Sequence, residues 1–209
     1  MAGAFIAFEG ITGSGKKTHI NLLAEDLRKR GKTVTLIAFP NFETEIARLT
    51  KRGEFDPFTR SLLYAADRSQ YQERIKGLLE RGDIVISDRY CYSNFAYQTA
   101  RGIDLNWLIN LEKNIIKPNI VFLIDVPVDT SMTRISQSSI EDFTKAEMLD
   151  RLKREREVLE KIRETYLYLV KNNPDKETKW FVIDGTQELG KCYEQIWKIV
   201  REELNIPLY

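Results

Sequence analysis

Short apolar runs alternate with amphipathic helical segments from one end of the chain to the other. The apolar runs lie at residues 4–8, 33–39, 83–88, 119–124 and 180–183. Polar and apolar positions do not alternate within them, so each run is predicted to be a strand covered on both faces. Strands of this kind are typical of a parallel sheet with a helix between successive strands.

Between these runs, apolar residues recur at helical spacing. The predicted helices lie at residues 18–30, 43–51, 58–81, 93–116 with a break at Gly102, 145–170 and 189–204. The polar, aperiodic stretch 136–142 predicts a mobile loop. The pattern indicates an α/β fold, a three-layer doubly wound parallel sheet with helices on both faces. We expect a single domain over 1–209 with a mobile lid at about 136–146.

The composition is that of a globular protein with a heavily charged surface, since 43% of the 209 residues are hydrophobic and 30% are charged. The net charge of +1 gives no reason to expect a nucleic-acid or membrane partner. No apolar run has the length of a bilayer span and no secretory leader is evident, so we expect a cytoplasmic protein. Cys91 and Cys192 are predicted to be ordinary thiols, and His19 an exposed polar residue.

The first predicted strand runs directly into a glycine-rich loop, which a predicted helix follows. The loop has the pattern G-x-x-x-x-G-K and comprises Gly10, Ile11, Thr12, Gly13, Ser14, Gly15 and Lys16. Glycines let the backbone curl so that its N–H groups face a phosphate, and the helix N-terminus and the lysine favour an anion. Strand, loop and helix in this order predict a site for the phosphates of a nucleotide. Lys17 stands where the pattern has a serine or threonine for the metal, and Thr18 follows it.

Carboxylates stand at the ends of two other predicted strands, at Asp88 and Asp125. Ligands bind past the carboxyl ends of parallel strands, so both lie where chemistry is expected. Asp88 can hold Mg²⁺ through a water molecule, and Arg89 beside it can grip a second phosphate. Asp125 is an alternative for the metal role. A capping aspartate with a surface arginine is the other interpretation of Asp88 and Arg89, and the phosphate loop in the same sheet favours the functional one.

Several short segments occur in an order and at a spacing that identify a family. They are Phe8-Glu9-Gly10, Phe39-Pro40, Leu63-Tyr64-Ala65-Ala66-Asp67-Arg68, Asp88-Arg89-Tyr90 with Ser93, Ala96-Tyr97-Gln98, and Lys117-Pro118-Asn119. Together they resemble the thymidylate kinases, of the nucleoside-monophosphate kinase group. The resemblance implies ATP-dependent phosphorylation of dTMP to dTDP for dTTP biosynthesis, with Mg²⁺ as cofactor, in a homodimer.

The same resemblance implies roles for individual residues. The nucleoside-monophosphate site would comprise Phe39, Pro40, Leu49, Tyr64, Arg68, Arg89, Ser93 and Gln98. Arg89 would bind the acceptor phosphate, Tyr64 would stack on the thymine and Arg68 would hydrogen-bond it. The ATP site would comprise the loop with Lys16, Lys17 and Thr18, together with Arg134 against the adenine. From the residues alone, Tyr64 could equally be a core aromatic residue beside Leu63.

Three positions and one stretch depart from the family pattern. Lys17 replaces the hydroxyl residue, Thr12 replaces a carboxylate expected at the sugar, and Ala38 replaces an arginine expected at the acceptor phosphate. The stretch 136–142 contains no arginine or lysine. An ammonium cannot coordinate a metal ion. We therefore expect Lys17 to supply part of the missing positive charge, with Lys16, Asp88 and Arg89 as the other catalytic residues and Asp88 in the outer shell of Mg²⁺.

These departures leave two alternatives open. The first is a kinase for another nucleoside monophosphate or for a deoxynucleoside, because the sugar and phosphate contacts differ. The second is a catalytically weak nucleotide-binding protein that acts through partners, which Lys17 and the lack of a cation in the stretch 136–142 would favour.

Overall fold

The sheet has five parallel strands, as the sequence predicts. The structure, a computed structural model, describes residues 3–51, 55–136 and 145–207, with side chains in the last range only from 155 onward. The strands are β1 (Ala4–Glu9), β2 (Val34–Ala38), β3 (Ile84–Asp88), β4 (Ile120–Asp125) and β5 (Lys179–Asp184). Their order across the sheet is β2-β3-β1-β4-β5.

Helices cover both faces of the sheet. Their bounds are α1 (Lys16–Lys29), α2 (Glu45–Thr50), α3 (Pro57–Ser69), α4 (Gln72–Glu80), α5 (Cys91–Thr99), α6 (Leu105–Leu111), α7 (Val128–Ser136), α8 (Lys145–Asn172) and α9 (Leu189–Glu203). Alternate residues of β1 serve two cores: Phe5 and Ala7 pack with α4, α5 and α8, whereas Ile6 and Phe8 pack with α1 and α9. The doubly wound α/β prediction is therefore confirmed.

The helices differ from the predictions in three respects, the smallest being that α6 ends at Leu111 rather than at residue 116. The predicted helix 58–81 is two helices, α3 and α4, because the Gln72 side chain donates to the Arg68 carbonyl (2.8 Å) and interrupts the ladder of backbone hydrogen bonds. Helix α7 was not predicted, because its nine residues carry too short an apolar pattern. Of the predicted lid at 136–146, residues 137–144 lie outside the described part of the chain.

The topology brings three strand ends together. β1 pairs with both β3 and β4, and the chain builds β2 and β3 on one side of β1 before it crosses to build β4 and β5 on the other. Phe8 is level with Asp88 in β3, and Ala38 of β2 is level with the same residue. The phosphate loop, Asp88 and Arg89 therefore meet at the switch point of the sheet, where such folds bind ligands. In the parts of the chain described, no helix has the length and apolar character needed to cross a membrane.

Candidate active site

The glycine loop is shaped by close backbone contacts. Gly10 has φ of +140°, and a Cβ atom there would lie 2.5 Å from the Ile124 carbonyl oxygen. A Cβ atom at Gly13, with φ of +76°, would lie 2.8 Å from the Ser131 carbonyl oxygen. Only glycine fits these positions. Gly15 caps α1 without a side-chain acceptor, so the first N–H groups of the helix are available to an anion.

Lys16 is folded into this loop and is only 6% exposed. Its Nζ donates to the carbonyl oxygens of Gly10 (3.0 Å) and Ile11 (2.9 Å) and to Ser14 Oγ (3.2 Å). Burial, and after it the charge of Arg89, lowers the pKa of Lys16 from 10.5 to about 7. The loop thus holds a lysine whose charged form is favoured by the arrival of an anion.

Arg89 follows β3 in a strained turn. Its φ is +66°, a left-handed conformation that costs a non-glycine residue about 1–2 kcal/mol. Its backbone N–H donates to the Phe8 carbonyl (2.9 Å), and its carbonyl accepts the Ser87 hydroxyl. The turn sends the side chain back across the end of β1, towards the phosphate loop.

The Arg89 guanidinium bridges the phosphate loop and α5. Nη1 donates to the Gly10 carbonyl oxygen (3.2 Å) and to Ser93 Oγ (3.1 Å), and Nη2 donates to the Tyr97 hydroxyl (3.1 Å). The group lies 4.9 Å from the centre of the Tyr97 ring. The atoms to which it donates are uncharged oxygens, so its positive charge remains available to an anionic ligand.

Glu9 lies fully buried behind Arg89 and ties three elements together. Its carboxylate accepts from the Tyr90 backbone N–H (2.8 Å), from Ser93 Oγ (2.6 Å) and from the Tyr166 hydroxyl of α8 (2.8 Å). Burial is the main cause that raises the pKa of Glu9, which its hydrogen bonds oppose. The predicted pocket residue Ser93 therefore has its hydroxyl committed to this network, and it positions Arg89.

Two cavities meet at Arg89. One, of about 280 Å³, lies over the phosphate loop and is lined by Lys16, Lys17, Thr18 and Asp88 among others. The second, of about 260 Å³, lies between α3 and α5. Seven predicted residues line it, namely Phe39, Pro40, Tyr64, Arg68, Arg89, Ser93 and Gln98. Leu49 does not; it is half-buried on α2, and Phe42 completes the apolar wall instead.

The inner end of the second cavity is polar but carries no net charge. Arg68 is 2% exposed, and its Nε and Nη2 donate to the two carboxylate oxygens of Glu112. Asn94 donates to the same carboxylate (2.9 Å). Asn94 and Gln98 each keep a buried side-chain carbonyl oxygen that has no partner among the described residues. These acceptors suit a ligand that brings a hydrogen-bond donor.

The carboxylates at the strand ends have different environments. Asp125 accepts two hydrogen bonds from Arg163, both of 2.7 Å, so this ion pair occupies the alternative metal ligand. Asp88 has a buried Oδ1 without a partner in the described part of the chain. Such an oxygen suits a water molecule of a hydrated Mg²⁺. No cluster of three metal-binding side chains is found among the described residues, so the ion's inner ligands would come from a nucleotide and water.

The remaining predicted residues lie around the loop. Arg134 donates to the Gly185 carbonyl oxygen (2.9 Å) on the far side of the loop from Arg89. Thr12 Oγ1 is 3.1 Å from the Tyr97 hydroxyl. The expectation that His19 is exposed is wrong: it lies on the buried face of α1, where burial and then Arg134 lower its pKa.

Several lining residues were missed from the sequence. Besides Phe42, they are Arg60, Asn94, Tyr97 and Arg101. One face of α5 carries two pairs of residues separated by one helical turn, Ser93 with Tyr97 and Asn94 with Gln98. This spacing could have identified Asn94 and Tyr97 from the predicted residues Ser93 and Gln98. Glu112 carried no such signal, because it is 44 residues from the arginine that it pairs with.

A glycine loop closed on a buried lysine, between a strand and a helix of a parallel sheet, defines a P-loop nucleotide-binding protein. A family model described as thymidylate kinase matches residues 8–196. The chain belongs to the thymidylate kinase family.

Relatives are similar over nearly their whole length. A probable thymidylate kinase of Thermococcus kodakarensis is 37% identical over 211 aligned positions, covering 94% of this chain and 96% of the relative. One of Thermococcus onnurineus is 38% identical and covers 96% of this chain and 98% of the relative. A thymidylate kinase of Thermosipho africanus is 38% identical with the same coverage.

Proposed function

We propose that the protein transfers the γ-phosphoryl group of ATP to dTMP, giving dTDP. The observation that carries the proposal is the pair of cavities joined by Arg89, one over the phosphate loop and one between α3 and α5. Family membership supports the same activity. ATP phosphates would bind the loop, with the adenine beside Arg134, and the monophosphate would occupy the second cavity with its phosphate at Arg89.

The chemistry needs positioning and charge neutralisation more than a base, because the attacking phosphate oxygen is already anionic. Lys16 and the N–H groups at the start of α1 would stabilise the transferring group. Arg89 would hold the acceptor phosphate in line with it. Bound Mg²⁺, carried by the nucleotide and reached by Asp88 through water, would neutralise charge on the donor oxygens.

The polar end of the second cavity supports a base with an N3–H group. Thymine and uracil bring a donor at N3 and a carbonyl at C4, whereas cytosine brings an acceptor and an amino group. The partnerless oxygens of Asn94 and Gln98 suit the donor, and the Arg68 guanidinium suits the carbonyl. Tyr64, half-buried on the cavity wall, would stack on the ring.

A substrate panel tests this function. With ATP and Mg²⁺, we expect kcat/KM to be highest for dTMP, lower for dUMP and at least about 10²-fold lower for dCMP and dGMP, because a mismatched base leaves buried polar groups unpaired. Coupled detection of ADP measures each rate. Strong activity on thymidine with none on dTMP would instead identify a deoxynucleoside kinase. ATP binding without product from any acceptor would favour the catalytically weak nucleotide-binding protein.

We also propose that the protein forms a homodimer through α3 and α6. Phe58 and Leu62 of α3 are 48% and 40% exposed, and the Phe58 ring stacks on Trp107 at 4.6 Å. We expect light scattering to give a dimer mass for the wild type and a monomer mass for Phe58→Asp/Leu62→Asp, because charges at this apolar strip would be buried. Leu189→Asp on α9, also exposed, is the control and should stay dimeric. A monomeric wild type would contradict the proposal.

A further inference from the structure

Lys17 is a cation in a place that does not favour one. It is the second residue of α1, where the helix dipole disfavours positive charge, and the first turn of this helix has no acidic residue. Lys16 precedes it and Arg89 lines the same cavity. The Lys17 ammonium makes no hydrogen bond or ion pair with the described residues. The described lining of this cavity therefore has three cations and one carboxylate, Asp88, and this excess of positive charge is a property of a site that expects an anion.

The side chain of Lys17 borders the phosphate cavity. Lys16 turns inward to the loop carbonyls, and one residue further along the helix the side chain points about 100° away. Lys17 accordingly lines both the cavity over the loop and an adjoining groove of about 370 Å³ at the end of β2, and Asp88 lines both as well. Glu43 also lines the groove, yet neither carboxylate forms an ion pair with Lys17.

In a P-loop, the hydroxyl at this position binds Mg²⁺ beside the β- and γ-phosphates. An ammonium has no lone pair for the ion and repels it, but it donates up to three hydrogen bonds to phosphate oxygens. Ala38, a β2 residue that lines the groove together with Lys17, has a methyl side chain with no charge to compete with the ammonium. The Lys17 ammonium can therefore neutralise phosphate charge at the position where the hydroxyl of other P-loops binds Mg²⁺.

We propose that Lys17 binds the polyphosphate of the donor directly, in place of a protein ligand for Mg²⁺, so that donor binding depends little on the divalent cation. This inference rests on the proposed function only in taking the loop cavity as the donor site. The oxygen of Asp88 without a partner remains the protein's contact with a hydrated ion, through water.

Calorimetric binding of β,γ-imido-ATP, with excess EDTA or with excess Mg²⁺, tests the proposal without turnover. We expect the Kd of the wild type to change less than about threefold between the two conditions. Lys17→Thr should bind at least about tenfold more weakly in EDTA, since it loses charge-assisted hydrogen bonds, and should recover affinity with Mg²⁺. Lys17→Arg should retain binding in EDTA.

Lys29→Thr is the matched control, because it removes an exposed lysine from the other end of the same helix. It should leave both affinities unchanged. Thermal unfolding adds a second readout: without ligand, Lys17→Thr should raise the midpoint by about 1–3 °C, because a cation leaves the helix N-terminus. A lower midpoint would contradict the unfavourable placement of Lys17 at the start of α1, from which the proposal is argued.

Two further results would overturn it: equal binding of wild type and Lys17→Thr in EDTA, or a wild type that requires Mg²⁺ to bind the analogue. Phosphorylation of dTMP by the wild type is measured separately. If that activity is present while Lys17→Thr binds like the wild type, the inference about Lys17 fails and the proposed function stands. If the analogue binds as expected but no acceptor is phosphorylated, the proposed function fails instead.

Discussion

Replacement of Arg89 by methionine is expected to lower kcat/KM for dTMP by about 10³-fold or more, the size of effect that a phosphate-binding arginine has in phosphoryl transfer. The guanidinium spans the phosphate loop, Ser93 and Tyr97 and borders both cavities. Arg89→Lys keeps a charge but not the planar fork, so it should recover only a small part of the loss. Steady-state kinetics with both substrates varied measures the effect.

Arg101→Met provides the control for this prediction. Arg101 lines the same cavity but is exposed and donates to the Tyr97 carbonyl rather than to the phosphate loop. Its loss should reduce kcat/KM by less than about tenfold. If Arg89→Met kept activity within tenfold of the wild type, the acceptor phosphate would have to bind elsewhere, and the two-cavity arrangement proposed for the substrates would be wrong.

Replacement of Lys16 by methionine is expected to lower kcat/KM by a similar factor, about 10³, because the donor phosphates lose a buried cation. The same lysine that serves phosphoryl transfer is expected to destabilise the ligand-free protein, because its charged form is buried. In the ligand-free protein, Lys16 is buried against backbone carbonyls and its pKa is lowered to about 7. In the unfolded chain the pKa of Lys16 has its ordinary value of 10.5.

The sign of the pH dependence follows from these two values. Between pH 7 and 10.5 the unfolded state binds more protons at Lys16 than the folded state, so this residue makes stability rise with pH in that window. Below pH 7 its destabilising contribution is complete. Lys16→Met should therefore unfold at a higher temperature than the wild type at pH 6, and the difference should shrink towards pH 9. A difference that widens over this range would contradict the lowered pKa.

Nucleotide binding gives an independent measurement of the same group. A polyphosphate in the loop stabilises the ammonium, so above pH 7 the wild type should take up a proton when β,γ-imido-ATP binds. Calorimetry in buffers of different ionisation enthalpy counts that proton. Lys16→Met, if it binds at all, should show none of this uptake.

The sequence predicted the parts of the site that depend on local pattern. The phosphate loop, Asp88 and Arg89 follow apolar strands, and parallel strands bring their carboxyl ends to one edge, so their proximity could be predicted without a structure. The second cavity came mainly from the family resemblance, which named seven of the residues that line it.

Long-range pairing could not be predicted in this way. Glu112 beside Arg68 and Arg163 beside Asp125 are partners that only the packing of helices brings together. Each changes an interpretation: Arg68 is a neutralised donor rather than a free charge, and Asp125 is occupied by an ion pair. The division of helix 58–81 was also invisible, since a glutamine side chain far along the helical pattern causes it.

The distribution of charge along the second cavity has a consequence for how a substrate enters it. At the inner end Arg68 and Glu112 cancel each other, whereas at the outer end Arg89 contacts only neutral oxygens. A molecule with a neutral head and an anionic tail is attracted in one orientation and rejected in the reverse one. The electrostatic potential along the cleft thus selects the orientation of the bound nucleotide before any chemistry begins.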